Sequence, residues 1–202
     1  MKQATLKIFV LVFTLLIGSP NFATVILPAQ LEDMVENSDI IADAACTAKR
    51  GSMLVHPVTK QEVPIVIYTF LTRECLKGSC GSSFEVSQWD VHSRSEAMQY
   101  HLPPIESNRF EVRQEGIFFF GPPSTKYEGF RWIVGGGQGN FKILRDAEGN
   151  VKVVNPYGNK GLFKGLPTKS LSKSQRNMVE GASGPISYDD FTSLIKNIVV
   201  NR

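Results

Sequence analysis

The sequence predicts a mainly β protein: an antiparallel OB-like barrel or sandwich with a short N-terminal helix and a C-terminal helix. The interior of the chain holds about seven or eight short segments rich in β-branched and aromatic residues. Turn residues separate these segments at close intervals. Apolar residues at helical spacing are confined to one segment near each end. Closely spaced strands without helices between them pair antiparallel, which is typical of barrels and sandwiches.

Residues 1–23 have the layout of a secretory signal peptide. A short basic start is followed by the apolar segment 8–17 and then by small residues at 18–23. An uncleaved anchor is the alternative, but the apolar run has about ten residues and a membrane-spanning helix needs about twenty. We expect cleavage after Ala23 and a secreted or periplasmic location for the remainder.

The charge balance argues against a nucleic-acid partner. The chain has 22 Lys and Arg against 19 Asp and Glu. Lys2 and Lys7 lie in the predicted leader, so residues 24–202 are close to neutral. Such a balance exerts no general attraction on nucleic acid. No second apolar run of spanning length follows the leader, so we expect no transmembrane segment after cleavage.

Residues 24–155 are predicted to form the β domain, preceded by a short helix within 28–37. Leu31, Met34 and Val35 place an apolar stripe on one face of that helix. Strands are predicted at 40–48, 63–76, 84–89, 110–112, 116–121, 130–134, 141–144 and 151–154. The continuous apolar run at 116–121 is typical of a strand buried on both faces.

Residues 156–186 are predicted to be a basic loop rich in Gly, Ser and Lys. Every charged side chain between Lys152 and Arg176 is basic. The candidate residues for binding an anionic partner are Lys160, Lys164, Lys169, Lys173 and Arg176. In a cell envelope the partner would be an acidic protein or an anionic surface polymer. A solvated loop with no specific role is the alternative.

Residues 187–202 are predicted to form the C-terminal helix. Ser187 is a suitable N-cap, and Asp189 and Asp190 suit the positive end of a helix dipole. The apolar stripe that would pack on the barrel is formed by Phe191, Leu194, Ile195 and Ile198.

Three cysteines, Cys46, Cys75 and Cys80, allow one disulfide bond and leave one thiol over. Cys75 and Cys80 enclose a short turn-like segment, so their pairing is sterically reasonable in an oxidising compartment. Pairing of Cys46 with Cys75 on a neighbouring strand, or three reduced thiols, remain open at this point. The four-residue spacing differs from that of thioredoxin-like redox sites.

The run from Gly135 to Gly139 raises the possibility of a phosphate loop. Asn140 and Phe141 follow where a P-loop requires Lys and Ser or Thr, and a strand follows where a dinucleotide fingerprint requires a helix. We interpret the run as a bend where the chain needs positive φ or a close approach. No cofactor is expected.

Asp90, His92 and His101 are the candidate metal ligands. Asp90 and His92 are two residues apart and share one face of a strand. With His101 they reach the three protein ligands of a catalytic zinc. Solvent-exposed polar residues at a strand end are the alternative interpretation. The sequence lacks a nucleophile elbow and an HExxH helix. We therefore favour a non-enzymatic binding module, with a metal-assisted hydrolase using these three residues as the second hypothesis.

Three short motifs, Ser38–Ala42, Leu76–Gly78 and Gly116–Phe120, together resemble the layout of secreted netrin-like domains, the class that includes metalloproteinase inhibitors. The segment Gly137–Phe141 is similar to secreted bacterial β-domain proteins of the same plan. The resemblance covers about residues 36–155 and implies an OB-type barrel. The Cys-led N-terminus that carries protease inhibition in that family is missing here, so the activity is not implied.

Overall fold

The computed structural model describes residues 27–100, 102, 109–181 and 183–201. Its strands form a seven-stranded sheet in the order β3-β2-β1-β4-β5-β6-β7, in which every neighbouring pair is antiparallel. In chain order the elements are α1 (Leu31–Asn37), β1 (Ile40–Val55), β2 (Glu62–Lys77), β3 (Ser83–Trp89), α2 (Arg94–Gln99), β4 (Glu115–Phe120), β5 (Asn140–Arg145), β6 (Val151–Val154), α3 (Lys173–Glu180), β7 (Ile186–Ser187) and α4 (Tyr188–Val200). The predicted mainly β class with a helix near each end is confirmed.

Within the described ranges the sheet does not close on itself, because its outer strands β3 and β7 are not paired with each other. The architecture is therefore sandwich-like, which is one of the two predicted forms. None of the described helices is both long and apolar enough to cross a bilayer. The predicted leader, residues 1–23, lies outside the described residues.

β1 and β2 form a long hairpin, in which each strand has 16 residues. Their register runs from Ile41 opposite Lys77 to Val55 opposite Glu62, with irregularities that include one between Cys46 and Ala48. β4 covers the other edge of β1 only over Ile40–Ala45. In the half of the hairpin nearer its turn, from Cys46 to Val55, β1 therefore pairs with β2 but not with β4.

β4 separates two hydrophobic clusters, as its unbroken apolar run predicts. Ile117 and Phe119 face α1 and α4, where Phe141 and Phe191 complete the packing. Phe118 and Phe120 point to the opposite face and join the second cluster, whose aromatic rings belong to Tyr68, Phe70, Phe84 and Phe110. Burial on both faces explains why no polar residue alternates along this strand.

α4 begins and packs as the sequence predicts. The Ser187 side chain accepts the backbone N–H of Asp190, and two acids occupy the first turn. Its buried stripe includes all four predicted apolar residues, Phe191, Leu194, Ile195 and Ile198. α1 is shorter than the predicted 28–37, because residues 28–30 precede the helix in an irregular conformation.

Two predicted strands, 110–112 and 130–134, are wrong. Phe110 and Phe130 are both buried, but residues 112 and 113 form a turn, and Phe130 and Ile133 make only isolated bridges, to Ser87 and Phe120. Their apolar character reflects burial of single side chains from irregular backbone rather than membership of a ladder.

The helix α3 within the predicted loop 156–186 was missed. It begins at a capping box in which Ser172 and Gln175 each bond the backbone of the other. Upstream of it Leu162, Phe163 and Leu171 are buried against the α1 and α4 side of the sheet. The basic segment is thus packed on the core.

Candidate functional site

Cys75 and Cys80 form the disulfide bond that the sequence favours, which confirms that prediction and excludes the Cys46–Cys75 pairing. The third thiol, Cys46, is free and fully buried in the aromatic cluster. Burial raises the pKa of the Cys46 thiol, which disfavours the reactive thiolate. The cysteines therefore have a structural role.

The triplet Leu76, Lys77 and Gly78, on which the netrin-like resemblance partly rests, joins the disulfide to α1. Leu76 is buried in the core. The Lys77 ammonium donates to the backbone carbonyls of Val35 and Ser38 at 2.6 Å each, so it caps the C-terminal end of α1. Gly78 has φ of 82° and lies so close to Asp39 that an added Cβ would be 2.2 Å from its carbonyl oxygen. The structure thus explains all three residue types: Leu76 by burial, Lys77 by its hydrogen bonds to α1, and Gly78 by its positive φ and close approach to Asp39.

Only two of the three candidate metal ligands can be located. Asp90 and His92 lie just after β3, with Asp90 Oδ1 and His92 Nε2 3.6 Å apart. His101 lies outside the described residues. Among those described, no group of three or more His, Cys, Asp or Glu side chains could hold a metal ion.

One nitrogen of the His92 ring is already engaged. Arg109 lies with its guanidinium nitrogen 2.5 Å from His92 Nδ1. Because a guanidinium only donates, Nδ1 acts as the acceptor in this contact. In this arrangement Nδ1 does not present its lone pair to a metal. The geometry favours the strand-end interpretation, and the hydrolase hypothesis gains no support from it.

The glycine run, residues 135–139, packs against residues 27–30, which precede α1. Gly135, Gly136 and Gly137 all have positive φ, and a Cβ at Gly135 would lie 2.9 Å from that of Ala29. The predicted bend with a close approach is confirmed. The next residue, Gln138, is buried; its Oε1 accepts the Ala29 N–H at 2.9 Å, and its Nε2 donates to the Leu27 carbonyl at 3.0 Å.

A buried ionic group that sequence reasoning missed ties α4 to the sheet. Asp43 on β1 is 4% exposed and accepts hydrogen bonds from Arg73 at 3.0 Å and from the Tyr188 hydroxyl at 2.6 Å. Arg73 also pairs with Glu115 at 2.6 Å. Burial and the bond to Asp43 raise the pKa of Tyr188, so the phenol stays a donor. Both carboxylate oxygens of Asp43 therefore have partners within the protein, and these bonds link α4 to the sheet.

The five predicted anion-binding residues are all exposed: Lys160, Lys164, Lys169, Lys173 and Arg176. Within the described part of the chain none of these side chains forms an ion pair. We call this set the basic surface. One of its members also lines a shallow groove, whose residues are Pro28, Gln138, Pro156, Tyr157, Gly158 and Lys160.

The backbone beneath the basic surface is held by two asparagines. Asn155 and Asn159 exchange side-chain oxygens and backbone N–H groups, both at 2.9 Å. The fully buried Asn159 amide also donates to the carbonyls of Val153 at 3.1 Å and Gly184 at 2.9 Å. The two ends of the basic segment are therefore joined through one side chain.

No known protein-family model matches this chain. No curated protein matches it either.

Proposed function

We propose that this protein is an exported, non-enzymatic interaction module whose basic surface binds an acidic envelope protein or an anionic surface polymer. The observation that carries the proposal is a set of five exposed cations that form no ion pair with any described residue and lie on a segment packed on the core. Cations whose charge is not neutralised within the protein leave a local positive field for a partner.

Rigid presentation strengthens the proposal. The Asn155–Asn159 pair and the buried side chains of Leu162, Phe163 and Leu171 hold the segment against the sheet. A partner would therefore not have to order this backbone on binding, and the entropy cost of association would be smaller than for a mobile loop. Binding residues on a fixed scaffold are a common arrangement.

Export is supported by two independent features. The leader pattern of residues 1–23 directs secretion. The Cys75–Cys80 bond is of the kind that persists in oxidising compartments such as the periplasm or the extracellular space. The anionic polymers and acidic proteins of an envelope are then the partners within reach.

The test is binding of residues 24–202 to immobilised polyglutamate and to the host's solubilised envelope fraction, each at low and high salt. The variant combines Lys164→Gln, Lys169→Gln and Lys173→Gln. The control combines Lys60→Gln, Lys126→Gln and Lys142→Gln, three lysines that are equally exposed but lie elsewhere. We expect the first variant to weaken binding about tenfold, because three exposed ion pairs of about 0.5 kcal/mol each amount to about 1.5 kcal/mol, and a tenfold change in affinity corresponds to about 1.4 kcal/mol.

The salt series separates this surface from unspecific adsorption. Binding through several exposed charges falls steeply as salt rises, since the Debye length shrinks to about 3 Å at 1 M. Equal losses in the two triple variants would show a response to total charge and would contradict a defined basic surface. Binding whose affinity does not change with salt concentration would also contradict the proposed role of the basic surface. The absence of binding to either probe would contradict it as well.

A further inference from the structure

The strand β1 has a long stretch of backbone that only one neighbour covers. β4 pairs with β1 over Ile40–Ala45, and the turn at Arg113 and Gln114 then closes Cys46 by two backbone hydrogen bonds of 2.7 and 2.9 Å. From Thr47 to Val55 the edge of β1 opposite β2 has no backbone partner within the described residues. We call this segment the β1 edge. An uncovered edge is a template for another strand.

The β1 edge is held in an extended conformation before any partner arrives. On its inner side it pairs with β2 up to Val55 opposite Glu62. The hairpin turn is anchored by the buried His56, whose Nδ1 accepts the Thr59 N–H and whose Nε2 lies 3.1 Å from the Tyr127 hydroxyl. A partner would therefore add to a preformed strand, which lowers the ordering cost of binding.

Side chains on the β1 edge divide it into a basic half and an apolar half. Lys49, Gly51, Met53 and Val55 share one face, because alternate residues of a strand do. Lys49 is exposed and lacks an ion pair within the described ranges, while Met53 and Val55 are 53% and 55% exposed. Arg113, whose backbone bonds Cys46, places a second exposed cation at the basic end.

We infer that the β1 edge binds an extended polypeptide segment as an additional antiparallel strand. Main-chain hydrogen bonds would supply the affinity and alternate side chains the selectivity. Because the added strand runs antiparallel to β1, its N-terminal end carries apolar residues opposite Val55 and Met53. Its C-terminal end carries carboxylates near Lys49 and Arg113.

Charge complementarity distinguishes such a partner from a second copy of this chain. The segment Thr47–Val55 contains no Asp or Glu, so a second copy laid antiparallel on it would offer Lys49 no carboxylate. An acidic partner strand would neutralise Lys49 and Arg113, and its apolar residues would cover the exposed Met53. The site is separate from the basic surface, so either proposal can fail alone.

The test uses a blocked, fluorescent nonapeptide with valine at its first and third positions, glutamate at its seventh and ninth, and threonine elsewhere. Fluorescence anisotropy with residues 24–202 measures its affinity. We expect saturable binding that Lys49→Glu weakens at least fivefold, because charge reversal replaces an attraction by a repulsion of similar size. Lys126→Glu, at an exposed lysine outside both proposed sites, is the matched control and should leave the affinity unchanged.

Three further peptides separate strand pairing from simple charge attraction. The first has the reversed sequence and should bind more weakly. The other two carry N-methyl groups on alternate amides, one peptide in each phase. Only one phase should abolish binding, since alternate amides of a strand point to the same side. Amide exchange should show protection of alternate residues in Thr47–Val55 on binding.

Three results would overturn the inference. These are no saturable binding, equal affinity for the original, reversed and both N-methylated peptides, or loss of affinity in Lys126→Glu equal to that in Lys49→Glu. Sedimentation of the protein alone provides a fourth. A concentration-dependent dimer that protects the same alternate amides would show that a second copy, rather than an acidic partner, occupies the β1 edge.

Discussion

The side-chain oxygen of Gln138 accepts the backbone N–H of Ala29 at 2.9 Å across a sequence separation of 109 residues. The other end of the same amide donates to the Leu27 carbonyl. One buried side chain thus bonds the backbone of the N-terminal segment in the way a neighbouring strand would, and it fixes where that segment enters α1.

Replacing Gln138 by Met should remove both bonds while keeping a side chain of similar length. We expect the free energy of unfolding to fall by about 1–3 kcal/mol, because the Ala29 N–H and the Leu27 carbonyl lose their partners in a part-buried site. Urea denaturation measures the change. Gln99→Met, at an exposed position, is the control and should change stability by less than about 0.5 kcal/mol. Equal losses of unfolding free energy in the two variants would contradict a stabilising role for the Gln138 hydrogen bonds.

Replacing Gly161 by Ala also tests how the segment before α1 is held, because Gly161 lies against Pro28 of that segment. Gly161 has φ of 72°, and an added Cβ would lie 2.7 Å from the Cβ of Pro28. Gly158→Ala is the matched control, since Gly158 has φ of 65° but nothing within 4 Å of an added Cβ. The control should cost about 1–2 kcal/mol for the backbone alone. Gly161→Ala should cost roughly a further 1–3 kcal/mol from crowding. Identical losses in urea denaturation would show that Pro28 does not press on this position.

Replacing Tyr188 by Phe should loosen α4 from the sheet. The change removes the hydroxyl that donates to the buried carboxylate of Asp43 at 2.6 Å. We expect the free energy of unfolding to fall by about 1–3 kcal/mol, the range for a hydrogen bond to a charged group. Lys196→Met on the same helix breaks an exposed pair with Glu74 and should cost less than about 1 kcal/mol. A Tyr188→Phe variant as stable as the wild type would contradict a stabilising role for the hydrogen bond between Tyr188 and Asp43.

Asp146 should make stability depend on pH in the acid range. Hydrogen bonds from Asn150 and Lys152 lower the pKa of Asp146 from its ordinary value of 3.8 to about 2. A carboxyl whose pKa is lower in the folded state stabilises the fold above its unfolded pKa, and this contribution disappears as pH falls through the folded pKa. The difference in urea midpoint between wild type and Asp146→Asn should therefore be constant above about pH 4 and shrink toward pH 2. A constant difference down to pH 2 would contradict the prediction.

The elements that sequence reasoning located are those whose signals are local. β4 is marked by an unbroken apolar run and α4 by a cap, two acids and a stripe within a few residues. The predicted strands 110–112 and 130–134 were wrong because an apolar pattern reports burial, and Phe110 and Phe130 reach the core from irregular backbone. α3 was missed because its segment is polar, and only the capping box marks its start.

The long-range contacts that organise the fold could not be predicted, because they join distant parts of the chain. Asp43 stands within the otherwise apolar first part of β1, residues 40–46, and its partner Tyr188 is 145 residues away. The glycine run was correctly interpreted as a bend, but nothing near it in sequence indicates that Gln138 binds Leu27. The β1 edge likewise follows from where β4 stops, which is a property of the register.

The enclosure of Cys46 has a consequence for oxidative folding. Three thiols in one chain permit three alternative bridges, and two of them would trap Cys46 in a non-native pair. Once the aromatic cluster has formed around it, Cys46 is out of reach of thiolate attack, and only Cys75 and Cys80 remain able to exchange. The hydrophobic core thereby selects the correct bridge, and it also keeps an odd thiol from linking two molecules in an oxidising environment.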